Sequence, residues 1–354
     1  MVYLDYAATC PLLPEVRKEM HEEEEKFFAN ASALHTPGHL AMNEVEECRA
    51  LLAELINASP DEIIFSSGAS EANNTVIRTF EGHEIETSPL EHHSILETAR
   101  LYRGDKQPKL YSYMLANNET GEILKLPHKK TDEYLHSDLT QVLGKIPIDV
   151  QALDLDYATF SAHKIGGPVG VGALYVRKGA PFKPLIIGGN QEKKRRGGTY
   201  NVVGIVGFKK ALEHIKNDKT PVSFATNVAK LRNKLAERIL QEIPGSSLNT
   251  DLDTNKSLPN ILNVSFAAAE GESIQLYLDA EDIIVSTGSA CAAGDIKPSH
   301  VLMAKTWDAE VAHSSIRFSF GEDSAMADVE RVMEVLPGII RRLQGMSTIK
   351  MEVK

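Results

Sequence analysis

The chain is poor in thiols, in positive charge and in long apolar runs. Cys10, Cys48 and Cys291 are its three cysteines, and no two of them form a C-x-x-C pair. A structural zinc motif and a disulfide framework are therefore not expected. Few thiols, and a start (Met1-Val2-Tyr3-Leu4-Asp5-Tyr6) without a basic, apolar leader, point to a reducing cytoplasm. No stretch approaches the roughly 20 apolar residues of a membrane helix, so no membrane partner is expected. Lys and Arg number 38 against 49 Asp and Glu, a net charge of −11. That balance argues against direct nucleic-acid binding. One local basic run, Lys193-Lys194-Arg195-Arg196, has a solvated loop as its ordinary explanation. There is no fixed-period repeat, no low-complexity tract and no Walker pattern.

What is present is ordinary in bulk. Hydrophobic residues make up 42% and charged residues 25%, as in a soluble globular protein, and 354 residues allow about two domains. Helical and strand patterns alternate, which favours an α/β layered fold. Residues 43–57 read as a helix with Val45, Cys48, Leu52, Leu55 and Ile56 on one face, so Cys48 is expected to be a buried, inert thiol. Residues 62–65, 110–115 and 171–176 read as strands. From about residue 217 the texture changes. An amphipathic helix over 226–243 is followed by strands at 261–266, 283–286 and 315–320. Helices are expected at 272–280 and 325–343, the last interrupted or kinked at Pro337. Residues from 345 on read as a loose tail.

The chemistry gathers at turns. A strand over 157–160 runs into Ser161-Ala162-His163-Lys164, and Gly166-Gly167-Pro168 then forbids a helix. A partly desolvated lysine there can attack a carbonyl, and the serine and histidine beside it could hold an anion. Ser66-Ser67-Gly68-Ala69-Ser70 leads from a strand into a helix N-terminus, a place for an anion, although Ser70 could merely cap that helix. Asp138 ends a short strand and could hold a pyridinium N–H, or only cap its own turn. Lys164 lies 26 residues further on, room for one connection and one neighbouring strand, so both side chains can emerge at one sheet edge. His92, in Glu91-His92-His93, offers an imidazole face that can cover an aromatic ring. These parts suit pyridoxal 5'-phosphate.

Longer stretches carry a resemblance. They include Tyr3 to Thr9, Phe65 to Asn74, Glu91-His92-His93, Asn117-Asn118-Glu119-Thr120-Gly121, His136 to Gln141 and Phe160 to Lys164. Arg195 to Thr199, Pro259 to Ser265, Gly288-Ser289-Ala290-Cys291 and Ser314 to Ser319 continue it in order. The chain resembles the cysteine desulfurases, pyridoxal-phosphate enzymes of the class V aminotransferase family. The resemblance implies a fold-type I transferase: α/β, with a large domain around a mostly parallel sheet (12–220, shortened between 93 and 135). A smaller α+β domain would comprise 1–11 and 221–354 and carry the catalytic cysteine loop. It implies that Lys164 binds the cofactor aldehyde, Asp138 its pyridine nitrogen and Gln141 its ring hydroxyl, with His92 stacked on the ring. Ala69, Ser70, Ser161 and His163 would hold the phosphate, with Thr199 from the neighbouring subunit of a homodimer. Asn118 and Arg317 would bind the substrate carboxylate. Cys291 would take sulfur from L-cysteine as a persulfide and pass it to a protein acceptor, an iron–sulfur scaffold or a tRNA-thiolation enzyme. Two other readings stand beside it: another class V enzyme (a selenocysteine lyase or aminotransferase), or a catalytically silent, partner-binding subunit. Cys10 stands where threonine is typical and either lines the site or is structural; Gly166 stands where an aromatic is common.

Overall fold

Short apolar runs bounded by turn residues become strands, and the amphipathic stretches between them become helices. The computed structural model describes residues 1–26, 28–217, 221–287 and 298–347. In chain order the elements begin with β1 (Val2–Tyr3), α1 (Pro14–Lys26), α2 (Thr36–Leu55), β2 (Ile63–Ser66), α3 (Ala69–Thr79), β3 (His83–Thr87), α4 (His93–Tyr102) and β4 (Lys106–Ser112). Then come β5 (Tyr134–Asp138), β6 (Tyr157–Ser161), β7 (Gly172–Val176), α5 (Val202–Asn217), α6 (Pro221–Glu242), β8 (Ser246–Leu248) and β9 (Ile261–Phe266). The remainder is α7 (Gly271–Asp279), β10 (Ile283–Ile284), α8 (His300–Thr306), α9 (Ala309–His313), β11 (Ser315–Ser319) and α10 (Met326–Met346). Two compact units result: a small one from Met1–Thr9, Ala116–Leu124 and Val222–Lys354, and a large one from Cys10–Leu115 and Lys125–Pro221.

The large unit is built on a six-stranded sheet of order β2-β7-β6-β5-β4-β3. Strands β3 to β6 pair in parallel, and β7 runs antiparallel to both β6 and β2. Helix α3 lays Ala72, Val76 and Ile77 into a core shared with Ile95, Leu110 and Tyr157. Each such fully buried large side chain contributes roughly 1.5–3 kcal/mol. Parallel neighbours usually need a helical crossover. The connection from β4 to β5, residues 113–133, contains no helix. Its middle, Ala116–Leu124, belongs to the small unit instead. Backbone bonds from Ile123 N to Lys256 O and from Leu258 N to Gly121 O, each 2.7 Å, fix it there.

The small unit has a three-stranded antiparallel sheet, β11-β9-β8, and a parallel pair, β1-β10. Leu235 and Ile239 of α6, Val264 and Phe266 of β9, Phe318 of β11 and Leu336 of α10 share its core. Helix α10 runs through Pro337 as one element. The helix is not interrupted there, since a proline removes one hydrogen bond from a 21-residue helix otherwise held by its buried stripe. Among the described residues, no helix is long and apolar enough to cross a membrane.

Candidate active site

The sheet of the large unit brings most of the expected residues to one edge. Strands β5 and β6 are parallel neighbours with Asp138 opposite Thr159, so both chains leave the sheet at the same end. Ser161 ends β6, and His163 and Lys164 lie in the single 3₁₀ turn Ala162–Ile165 that follows. Gly172 of β7 pairs with Ser161 on one side and Ser66 on the other. A side chain at Gly172 would meet Phe160 O at 2.6 Å and Gly68 Cα at 2.7 Å, so a glycine is needed for the turn after β2 to lie against β6.

That turn opens α3. Its N-cap is Gly68, which has no side chain to bond the first N–H groups, so Ser70 is not the cap. Ala69 and Ser70 lie in the first turn of the helix. From Gly68, nothing but Ser161 Oγ, at 3.9 Å, lies within 4 Å of where a Cβ would stand. An uncapped helix start beside a serine hydroxyl, with space between them, fits a phosphate. His163 is pushed down to about 4 by burial and by the charges of Lys164 and Lys145, so it would meet such an anion as a neutral imidazole.

Asp138 is buried, and both its oxygens accept hydrogen bonds. Oδ1 takes one from Thr140 N at 3.0 Å, the ordinary turn role, and Oδ2 takes one from Asn73 Nδ2 at 2.7 Å. Gln141 sits buried in the turn beyond. His92 caps α4, its Nδ1 accepting from Ser94 N at 3.1 Å. Beside it Glu91 is fully buried; burial pushes its carboxyl well above the usual range, and the nearby Asp138 adds to this while Met114 N–H opposes it.

Cys10 is partly exposed and is tied to the lysine turn. Its N–H donates to His163 O at 2.9 Å and its Sγ to Lys164 O at 3.1 Å. Cys48 is fully buried, and burial pushes its thiol up, as expected of an inert group. Gly166, at φ 75°, closes the lysine turn, and a side chain there would strike Leu13 Cγ at 2.5 Å.

The basic run is solvated in its first half, where Lys193 and Lys194 are exposed as expected, while Arg195 and Arg196 are partly buried. Glu192 is buried and receives both arms of Arg49 at 2.8 Å each, plus Phe65 N at 3.2 Å. Lys193 pairs with Asp61, Arg195 donates to Asp61 O at 2.7 Å, and Arg196 pairs with Glu71 at 3.0 Å. These bonds hold the loop against the start of α3. Within one chain Thr199 is exposed and lines a cleft of about 140 Å³ together with Ser66, Ser67 and Arg196.

Asn118 and Arg317 belong to the small unit. Arg317 is buried, donating Nη1 to Asn118 O at 2.9 Å and Nη2 to Asp5 Oδ1 at 2.7 Å, while its Nε has no hydrogen-bond partner. Cys291 lies outside the described residues. Asp5 and Asn73 stood inside the motifs singled out above without being assigned a role. Ser94, Arg49 and Glu192 carried no local signal, since their partners come from distant elements. Among the described residues there is no group of His, Cys, Asp and Glu able to hold a metal ion.

The profile of the aminotransferase class-V family matches residues 2–106 and 103–332. The protein named cysteine desulfurase IscS of Dictyoglomus turgidum is 39% identical over 391 aligned positions, covering 100% of this chain and 98% of its own. The X-ray structure of a NifS-like protein from Rickettsia africae has a TM-score of 0.86 at 29% identity, covering 96% of this chain and 99% of that one. A structure described as SspA in complex with cysteine has a TM-score of 0.74 at 29% identity, covering 90% of this chain and 99% of that one. With its parallel-stranded core, its lysine turn and these matches along its length, the chain belongs to the aminotransferase class-V family, in the group of its cysteine desulfurases.

Proposed function

We propose that this chain binds pyridoxal 5'-phosphate in the large unit and uses it to move sulfur from L-cysteine onto Cys291. The single observation that carries this is the shared edge of β5 and β6, from which Asp138 and the Lys164 turn emerge together. When bound, the cofactor supplies an aldehyde for an amine to condense with and a ring that accepts electrons. Lys164 Nζ is the amine that would hold it and the base that would take the proton from the substrate Cα. Asp138 would accept the hydrogen bond of the pyridine N–H, Gln141 would meet the ring hydroxyl and His92 would cover the ring face. Ala69, Ser70, Ser161 and His163 would hold the phosphate. Asn118 and Arg317 bind the substrate carboxylate, for which the flat guanidinium fork is suited.

The Cys291 thiolate attacks the substrate sulfur; an S–S bond forms, the substrate C–S bond breaks with its electron pair left on the substrate Cβ, and that carbon takes up a proton to become the methyl group of alanine, which leaves. The persulfide passes to an acceptor protein, an iron–sulfur scaffold or a tRNA-thiolation enzyme. The working form is a homodimer, in which Thr199 serves the neighbouring subunit's phosphate, in the cytoplasm. The relative solved with cysteine supports L-cysteine as substrate. Cys291→Ser tests the proposal: cofactor absorbance is retained and intact mass no longer detects a persulfide after cysteine is added. Undiminished sulfur transfer in that variant refutes it.

A further inference from the structure

We propose that Asn73 and Ser94 are positioning residues that lock His92 in its Nε2–H tautomer and fasten it to Asp138. Four side chains form one line. Asn73 of α3 places Nδ2 2.7 Å from Asp138 Oδ2 and 2.9 Å from Ser94 Oγ. Ser94 Oγ lies 2.8 Å from His92 Nδ1.

The direction of each bond follows from chemistry. A carboxylate oxygen accepts, so Asn73 must turn its NH₂ towards Asp138; the flipped amide would set oxygen against oxygen. That NH₂ has two hydrogens, one for Asp138 and one for Ser94. Ser94 Oγ, having accepted, donates its own hydrogen onward to His92 Nδ1. Ser94 N–H also donates to Nδ1, at 3.1 Å. A nitrogen that accepts twice carries no hydrogen, so the imidazole proton resides on Nε2. Asn73 is fully buried and its Oδ1 has no hydrogen-bond partner, so the amide is held by its NH₂ alone. An acceptor left unsatisfied in the interior costs about 1–3 kcal/mol, and such an arrangement persists only where the donor bonds outweigh it.

The functional consequence rests on the reading proposed above. If the cofactor ring stands between His92 and Asp138, the line behind them sets the tilt of one and the rotamer of the other together. His92 then presents a hydrogen-bond donor, never an acceptor, at its Nε2.

The test uses the full chain labelled with ¹⁵N-histidine, before and after cofactor is added. Long-range ¹H–¹⁵N spectra should show His92 with an unprotonated Nδ1 and a protonated Nε2. Ser94→Ala keeps the residue-94 N–H on Nδ1 and Asn73→Leu keeps both donors, so each should retain the tautomer but shift the His92 Nδ1 resonance as the hydroxyl bond is lost or loosened. In the loaded enzyme both should slow persulfide formation at saturating cysteine, roughly ten- to hundred-fold. Ser94→Thr, which keeps the hydroxyl, should restore both readouts. A wild-type His92 protonated on Nδ1, or a Ser94→Ala protein with an unchanged spectrum, overturns the proposal. Because the spectrum is read without cofactor, a wild-type protein that shows the tautomer yet forms no persulfide would sink the desulfurase reading and leave this one standing.

Discussion

The guanidinium of Arg317 stands 2.7 Å from the carboxylate of Asp5, which joins the middle residue of β11 to the chain's first residues. The pair holds the fork in one orientation and leaves Nε to a further acceptor. Arg317→Lys removes the fork while keeping the charge. Cysteine titrations followed by cofactor absorbance should show affinity weakened by roughly ten-fold or more, the worth of a lost charge-assisted bond, with cofactor loading unchanged. An unaltered cysteine affinity would exclude Arg317 from the substrate site.

The Arg49–Glu192 pair predicts an asymmetry between single and double variants. Both groups are buried, and Glu192 also receives Phe65 N. Glu192→Leu leaves the buried guanidinium with only the exposed Glu46 as counter-charge and should cost about 3 kcal/mol in denaturant unfolding, the low end for breaking a buried pair. Adding Arg49→Met should recover most of that loss. A double variant no more stable than the single one would show that the loop is held by something else.

His136 predicts a loss of stability on acidification. It is fully buried between Ser112 Oγ and Thr159 Oγ1, and burial pushes it from 6.5 down to about 4, against the opposing charge of Asp138. As pH falls below its ordinary value, the unfolded chain takes up the proton and the folded chain does not. Stability therefore drains away between about 6.5 and 4, by about 3 kcal/mol at the lower end. His136→Asn should flatten that part of the stability–pH curve. An equally steep curve in the variant would assign the acid sensitivity to other groups.

Lys145 predicts the same direction, stability rising with pH, in the alkaline range. It is buried, its Nζ has no hydrogen-bond partner, and burial lowers its pKa, partly opposed by Cys10. At neutral pH the unfolded chain holds this proton more firmly, so the fold carries a penalty that fades as pH rises towards the ordinary lysine value. Lys145→Met should raise stability by about 1–3 kcal/mol near neutrality, and the gain should shrink in alkaline buffer. A destabilised variant would mean that the ammonium has an acceptor in solution.

Much of the large unit was legible in the sequence because strands such as β5 and β6 are short apolar runs cut off by polar turns. Their order along the chain then puts Asp138 and Lys164 at one edge. The start of α2 was less legible: it was expected at 43 and lies at Thr36, because His35 caps it through Nδ1 to Gly38 N at 3.1 Å and Pro37 opens its first turn. The basic run read as solvated throughout because its acidic partners, Asp61 and Glu71, are more than a hundred residues away. Asn73 and Ser94 were silent for the same reason. A hydrogen-bonded line through two helices and a strand exists only once packing has brought them together.

Residues 1–9 are structural members of a unit whose other strands are made at the far end of the chain: Val2 pairs with Ile283 and Asp5 with Ser319. During synthesis the large unit has all its residues once position 221 has emerged, whereas the small unit must wait for its last strand and helix. Until then the first nine residues and the Asn118 segment dangle without their mates. Interruptions of translation between the two points should leave an intact sheet carrying loose ends, the form most exposed to proteases and chaperones.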